Sequence, residues 1–214
     1  GMQLDAGNVA SVGEMAKIVT AVYAGGKDVT DFAGLNLIDE LSAMQGENGL
    51  FGLGAFDHCL SMIALQNVAA ELPEGTVDAL LAAQGEDGGW GFMDGMGSDT
   101  NTTGLCLQAL SLTDVEDEAV AAFDYLAAIQ NEDGGWPYQN PSDYGTDSDA
   151  NSTALVLQAL VAYEMDVEEW NNPADYLLSM QNESGSFSYQ AAFPGDNILA
   201  TVAVMPAVEG LTLN

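Results

Sequence analysis

Apolar residues recur at spacings of three and four along most of the chain, the period of an amphipathic helix, and nowhere alternate with the period of two that marks a strand. Val9, Val12, Met15, Ile18, Val19 and Val22 place a first helix over 8–24, which Gly25 and Gly26 end. Leu35, Leu37, Ile38, Leu41 and Met44 place a second over 33–45. Two kinds of helix then alternate. Segments 56–70, 101–112, 151–164 and 197–209 are apolar nearly all round, as in TGLCLQALSL and TALVLQALVAY. Segments 75–84, 116–130 and 168–181 carry acidic residues on one face: Asp78; Glu116, Asp117 and Asp124; Glu168, Glu169 and Asp175. A helix with no polar face must be covered on both sides. The pattern therefore predicts an all-α fold of nine helices in two concentric layers, five inner and four outer. Pro206 is expected to kink the last helix or to start it afresh.

Between the two kinds of helix stands a repeated joint, Gln-x-x-x-Gly-x-aromatic. It occurs as Gln45/Gly49/Phe51, Gln84/Gly88/Trp90, Gln130/Gly134/Trp136 and Gln181/Gly185/Phe187. Gln can satisfy orphan groups of the turn, Gly permits the positive φ that ends a helix, and the aromatic covers the seam between repeats. The exchange of Trp for Phe at two copies is what a packing joint tolerates. The competing reading makes Trp90 and Trp136, with Tyr138, Tyr144 and Tyr189, a ligand platform at one rim.

A second recurrence opens two inner helices: Asp99-Thr100-Asn101-Thr102-Thr103 and Asp149-Ala150-Asn151-Ser152-Thr153. These are helix-capping residues. The candidate ligand-binding set at this rim is Trp90, Asp99, Asn101, Trp136, Tyr138, Tyr144, Asp149 and Asn151. Asp147, Asp149 and Asn151 have the opening spacing of a calcium loop, but Ser152 and Gln158 stand where that loop needs Gly and an acid. A cation on Asp143, Asp147 and Asp149 is the weaker alternative. His58 is the only histidine, so a zinc site lacks ligands, and no nucleophile has an evident paired base. No catalytic residue and no cofactor emerge.

Composition narrows the partners. With 33 acidic residues, two lysines, no arginine and a formal charge of -31, the surface repels nucleic acid and anionic lipid and offers no clamp for a diphosphate. A hydrophobic content of 48% excludes a disordered acidic tail. No apolar run is long enough to insert in a membrane. Cys59 and Cys106 lack Cys-x-x-Cys spacing and read as free buried thiols ahead of a disulfide. The chain reads as one domain, 1–214, excised from a larger protein, with a flexible segment at 1–7.

The joints, alternating with Asp-x-Asn-Ser-Thr-Ala-Leu-Val-Leu-Gln-Ala-Leu, resemble the prenyltransferase and squalene-cyclase repeat, which implies an α/α toroid of helical hairpins. Cyclases of that type protonate substrate with the middle acid of Asp-x-Asp-Asp-Thr, where this chain has Asn101 and Asn151. The segment Val204–Leu211 looks like the ending of the transcobalamin-like bacterial surface-protein branch, which implies an extracellular or cell-surface module. The resulting expectation is a non-catalytic module that binds a small molecule, corrinoid-like or other, or an adjacent domain at the toroid rim. The alternatives are a divergent isoprenoid cyclase or prenyltransferase-like enzyme, and an architectural spacer. Nine helices against twelve in a closed toroid imply an open or incomplete ring, with self-association through its inner-helix edge.

Overall fold

The computed structural model describes residue 9 and residues 11–115 and 117–213. Among them are nine α-helices and no strand, only isolated bridges. The inner layer is α1 (Val12–Ala24), α3 (Ala55–Asn67), α5 (Thr100–Leu110), α7 (Ala150–Ala162) and α9 (Ile198–Val208). The outer layer is α2 (Leu37–Ser42), α4 (Thr76–Ala82), α6 (Asp117–Ile129) and α8 (Pro173–Ser179). Inner helices pack successively, α1 on α3, α3 on α5, α5 on α7 and α7 on α9, and each outer helix lies against the inner helix before it. The apolar segments are thus covered on both flanks, as their lack of a polar face requires. The acidic residues Asp78, Asp117, Asp124, Glu168, Glu169 and Asp175 face solvent. Glu116 lies outside the described residues, as do residues 1–7.

Backbone contacts make the inner layer tight. A Cβ on Gly104 would come within 3.1 Å of the Leu155 carbonyl carbon and oxygen, tighter than an ordinary packing contact, so α5 and α7 approach closely at this point. Cys59 and Cys106 are fully buried and joined in a disulfide that ties α3 to α5, correcting the expectation of free thiols. The sequence separation of 47 spans a full repeat, so nothing local in the sequence signalled the pairing.

The four joints share one hydrogen-bond scheme. Each Gln donates from Nε2 to the carbonyl of its Gly: Gln45 to Gly49 at 2.9 Å, Gln84 to Gly88 at 2.7 Å, Gln130 to Gly134 at 3.0 Å and Gln181 to Gly185 at 3.3 Å. The first three also reach the start of the next outer element, at the carbonyls of Glu74, Glu118 and Trp170. The aromatic residue's backbone N–H is captured by the following inner helix. Thr103 and Thr153 accept it through Oγ1 from Trp90 and Trp136, Thr201 accepts from Phe187, and His58 takes the same place for Phe51 at 2.9 Å. Trp90 and Trp136 are fully buried and donate from Nε1 to the carbonyls of Leu80 and Leu126. They are staples between repeats.

Two expectations are corrected. Segment 168–181 is a 3-10 turn, Val167–Trp170, followed by α8, because Asn171 and Asn172 take positive φ of 52° and 50° and Pro173 starts a new helix. Pro206 lies inside α9 without interrupting it. After α9 the chain crosses under the inner helices. Gln158 Nε2 donates to the Leu211 carbonyl, Leu213 N–H to Gln108 Oε1, and Asn67 Nδ2 to the Leu213 carbonyl. α9 has no comparable packing against α1 among the described residues, and Ile198, Leu199 and Val202 remain exposed on it.

Candidate functional site

The residue that caps each inner helix after a joint sits at one rim, and the row reads Gly54, Asp99, Asp149, Asn197. Gly54 is dictated by space, since a Cβ there would lie 2.4 Å from the Met93 Cα. Asn197 supplies an amide oxygen to Ala200 N–H at 3.0 Å. Only the two middle repeats present carboxyl groups. Asp99 accepts from Thr102 N–H at 2.8 Å and Thr102 Oγ1 at 2.9 Å. Asp149 accepts from Ser152 N–H at 2.9 Å and Ser152 Oγ at 2.7 Å.

The chain two residues beyond the next joint aromatic folds back over each cap. Thr100 N–H donates to the Tyr138 carbonyl at 2.9 Å and Ala150 N–H to the Tyr189 carbonyl at 2.8 Å. This brings Tyr138 beside Asp99 and Tyr189 beside Asp149. The two carboxyls are 2% and 1% exposed. Burial raises their pKa values above the ordinary carboxylate range, against the opposing pull of their hydrogen bonds. Tyr138 is pushed up to about 12, first by burial and then by the Asp99 charge, so its phenol stays protonated at neutral pH.

Both acid–tyrosine pairs open on a cleft of about 660 Å³, to which Phe92, Met96, Tyr144 and Asp147 also contribute. Tyr144 is fully exposed, and Tyr138 and Phe92 are exposed to 44% and 41%, unlike the buried joint aromatics. A second cavity of about 500 Å³, lined by Glu132, Asp133 and Tyr176 among others, shares Asp147 and Gln190 with the first.

Of the residues singled out in the sequence, Asp99, Tyr138, Tyr144, Asp149 and Tyr189 line the cleft. Trp90 and Trp136 lie in the core instead. Asn101 and Asn151 turn inward, each with a buried Oδ1 that has no hydrogen-bond partner. Asp147 reaches the cleft while Asp143 does not, and no three acidic side chains among the described residues converge on a metal position. The sequence reading passed over Phe92, Met96, Gln139 and Gln190. Their signal was register: Phe92, Tyr138 and Tyr189 each stand two residues after a joint aromatic.

No protein-family model matches the sequence, and comparison with curated proteins finds no match. Solved structures do match. A protein from Actinoplanes superposes with a TM-score of 0.70 at 16% identity, over 97% of this chain and 79% of its own. A polysaccharide lyase gives 0.62 at 14%, over 92% and 71%. The unsaturated glucuronyl hydrolase of Bacillus sp. GL1, described as responsible for glycosaminoglycan degradation, gives 0.58 at 12%, over 94% and 74%. The expectation of a non-catalytic binding module does not stand beside them, because these neighbours include a lyase and a hydrolase acting on glycans. At these identities the likeness establishes the fold, and the chain is an α/α toroid.

Proposed function

We propose that this protein is a glycan-processing enzyme that hydrolyses a glycosidic bond in the cleft between the caps of α5 and α7, with Asp99 and Asp149 as its acid pair. The observation that carries the reading is the pairing itself. Two buried carboxyls, contributed by equivalent positions of adjacent repeats, open on one cleft flanked by exposed aromatic rings. Caps on neighbouring packed helices stand about one helix spacing apart, ~8–10 Å, a separation that leaves room for a water between two carboxyls. One carboxyl, its pKa raised by burial, gives its proton to the glycosidic oxygen as the bond to the anomeric carbon breaks. The other takes a proton from the water whose oxygen bonds to that carbon. The fold neighbours lend support, since they include glycan hydrolases. Lyase chemistry fits less well, because a cation for the substrate carboxylate is needed and no basic residue lines the cleft.

The test is Asp99→Asn and Asp149→Asn, assayed by release of reducing ends from a panel of oligosaccharides. Asn still caps a helix, so stability should change by no more than about 1 kcal/mol, while loss of proton transfer should lower turnover ~10²–10⁴-fold. Turnover that survives both substitutions would refute the assignment. We further infer that the chain belongs to the transcobalamin-like surface branch of the toroid proteins and works outside the cytoplasm. Support comes from its Val204–Leu211 segment and from the Cys59–Cys106 disulfide, a bond that persists in oxidising compartments.

A further inference from the structure

The cleft and the adjoining cavity share Asp147 and Gln190 and so form one trough. One end is aromatic, with Phe92, Tyr138 and Tyr144; the middle holds Asp99 and Asp149; the far end carries Glu132, Asp133 and Asp147. No basic side chain lines any part of it, and the two lysines of the chain lie elsewhere, Lys17 on α1 and Lys27 shortly after it. At the acidic end Tyr176 is more than nine-tenths buried, and its hydroxyl has no hydrogen-bond partner. Its counterpart one repeat earlier, Tyr125, donates to the Ser98 carbonyl at 3.0 Å. The last full repeat therefore leaves a polar group unanswered beside three carboxylates, at the point where its predecessor is closed by protein.

A uronate, the substrate feature that a cationic clamp would read, meets only like charge here. An ammonium group meets the opposite. We propose that the trough takes oligosaccharides bearing free amino groups, with sugar faces on Tyr138 and Tyr144 and the ammonium groups against Glu132, Asp133 and Asp147; this rests on the glycan-processing reading above. Two ammonium–carboxylate contacts at a wet surface are together worth about tenfold in affinity.

Calorimetric titration with three oligomers of equal length tests it at mildly acidic pH: glucosamine oligomers with free amines, the same oligomers N-acetylated, and galacturonate oligomers. The free-amine oligomer should bind about tenfold more tightly than the acetylated one, and galacturonate should not bind. The advantage should shrink severalfold in 0.5 M salt and in the Glu132→Gln/Asp147→Asn double variant, whose side chains are exposed and outside the core. Equal or tighter binding of the acetylated oligomer, binding of galacturonate, or an advantage indifferent to both salt and the double variant overturns this inference and leaves the glycan reading standing. No binding by any of the three overturns both.

Discussion

His58 should make the stability of this protein depend on pH in a way its carboxylates cannot imitate. The ring is fully buried. Nδ1 accepts the Phe51 N–H at 2.9 Å, and Nε2 faces the Thr76 carbonyl at 3.0 Å, which fixes the neutral tautomer with its proton on Nε2. Protonating Nδ1 would break the first bond and bury a charge, so desolvation lowers the pKa from 6.5 to about 4. A histidine depressed in the folded state contributes stability that is present above the unfolded pKa and is lost as pH falls toward the folded one. The loss over that interval is about 3 kcal/mol. The wild-type curve alone cannot show this, because protonation of the 33 acidic residues relieves self-repulsion over the same range. The informative quantity is the difference from His58→Thr, the residue that occupies the same place at Thr103, Thr153 and Thr201. Urea unfolding followed by fluorescence of the buried Trp90, Trp136 and Trp170 should find the variant less stable at pH 7.5. That gap should close by about 2.5 kcal/mol on reaching pH 4.5. Parallel curves for the two proteins between these pH values would refute the argument.

Two further predictions concern how repeats are joined. Replacing Cys59 and Cys106 together by Ala should cost about 4 kcal/mol by the loop-closure estimate, seen as a lowered urea midpoint; an unchanged midpoint would mean that the bridge does not form. Gly134→Ala should be more damaging than Gly185→Ala. Both have positive φ, but a Cβ at Gly134 would lie 2.5 Å from the Asn171 carbonyl oxygen whereas Gly185 has open space, so calorimetry should separate the two by more than about 1 kcal/mol.

The helical layers could be read from the chain because burial on both flanks leaves an apolar run with no polar face, as in α5 and α7. The joints were legible for the same reason: four copies of one contact need the same residue types. What failed to show was geometry that only neighbouring repeats create. Phe92 carries no mark as a single residue, and it enters the cleft because the chain after each joint folds back onto an earlier cap. Asp99 and Asp149 looked like helix caps and are helix caps. Their burial under the chain at Tyr138 and Tyr189 is what no local pattern reveals. The break before Pro173 could have been seen in Asn171-Asn172-Pro173, since Asn is the side chain that best tolerates a left-handed backbone.

The segment from Leu211 to Leu213 changes what kind of array this is. Stacked hairpins that touch only their neighbours fray from their ends, each repeat melting with little effect on distant ones. Here one short run of backbone is bound at once by Asn67, Gln108 and Gln158, on α3, α5 and α7. Releasing α9 means breaking contacts with helices from three earlier repeats. The chain should therefore melt as a single unit, and the rim that holds Asp99 and Asp149 keeps its register for as long as the opposite end stays tied.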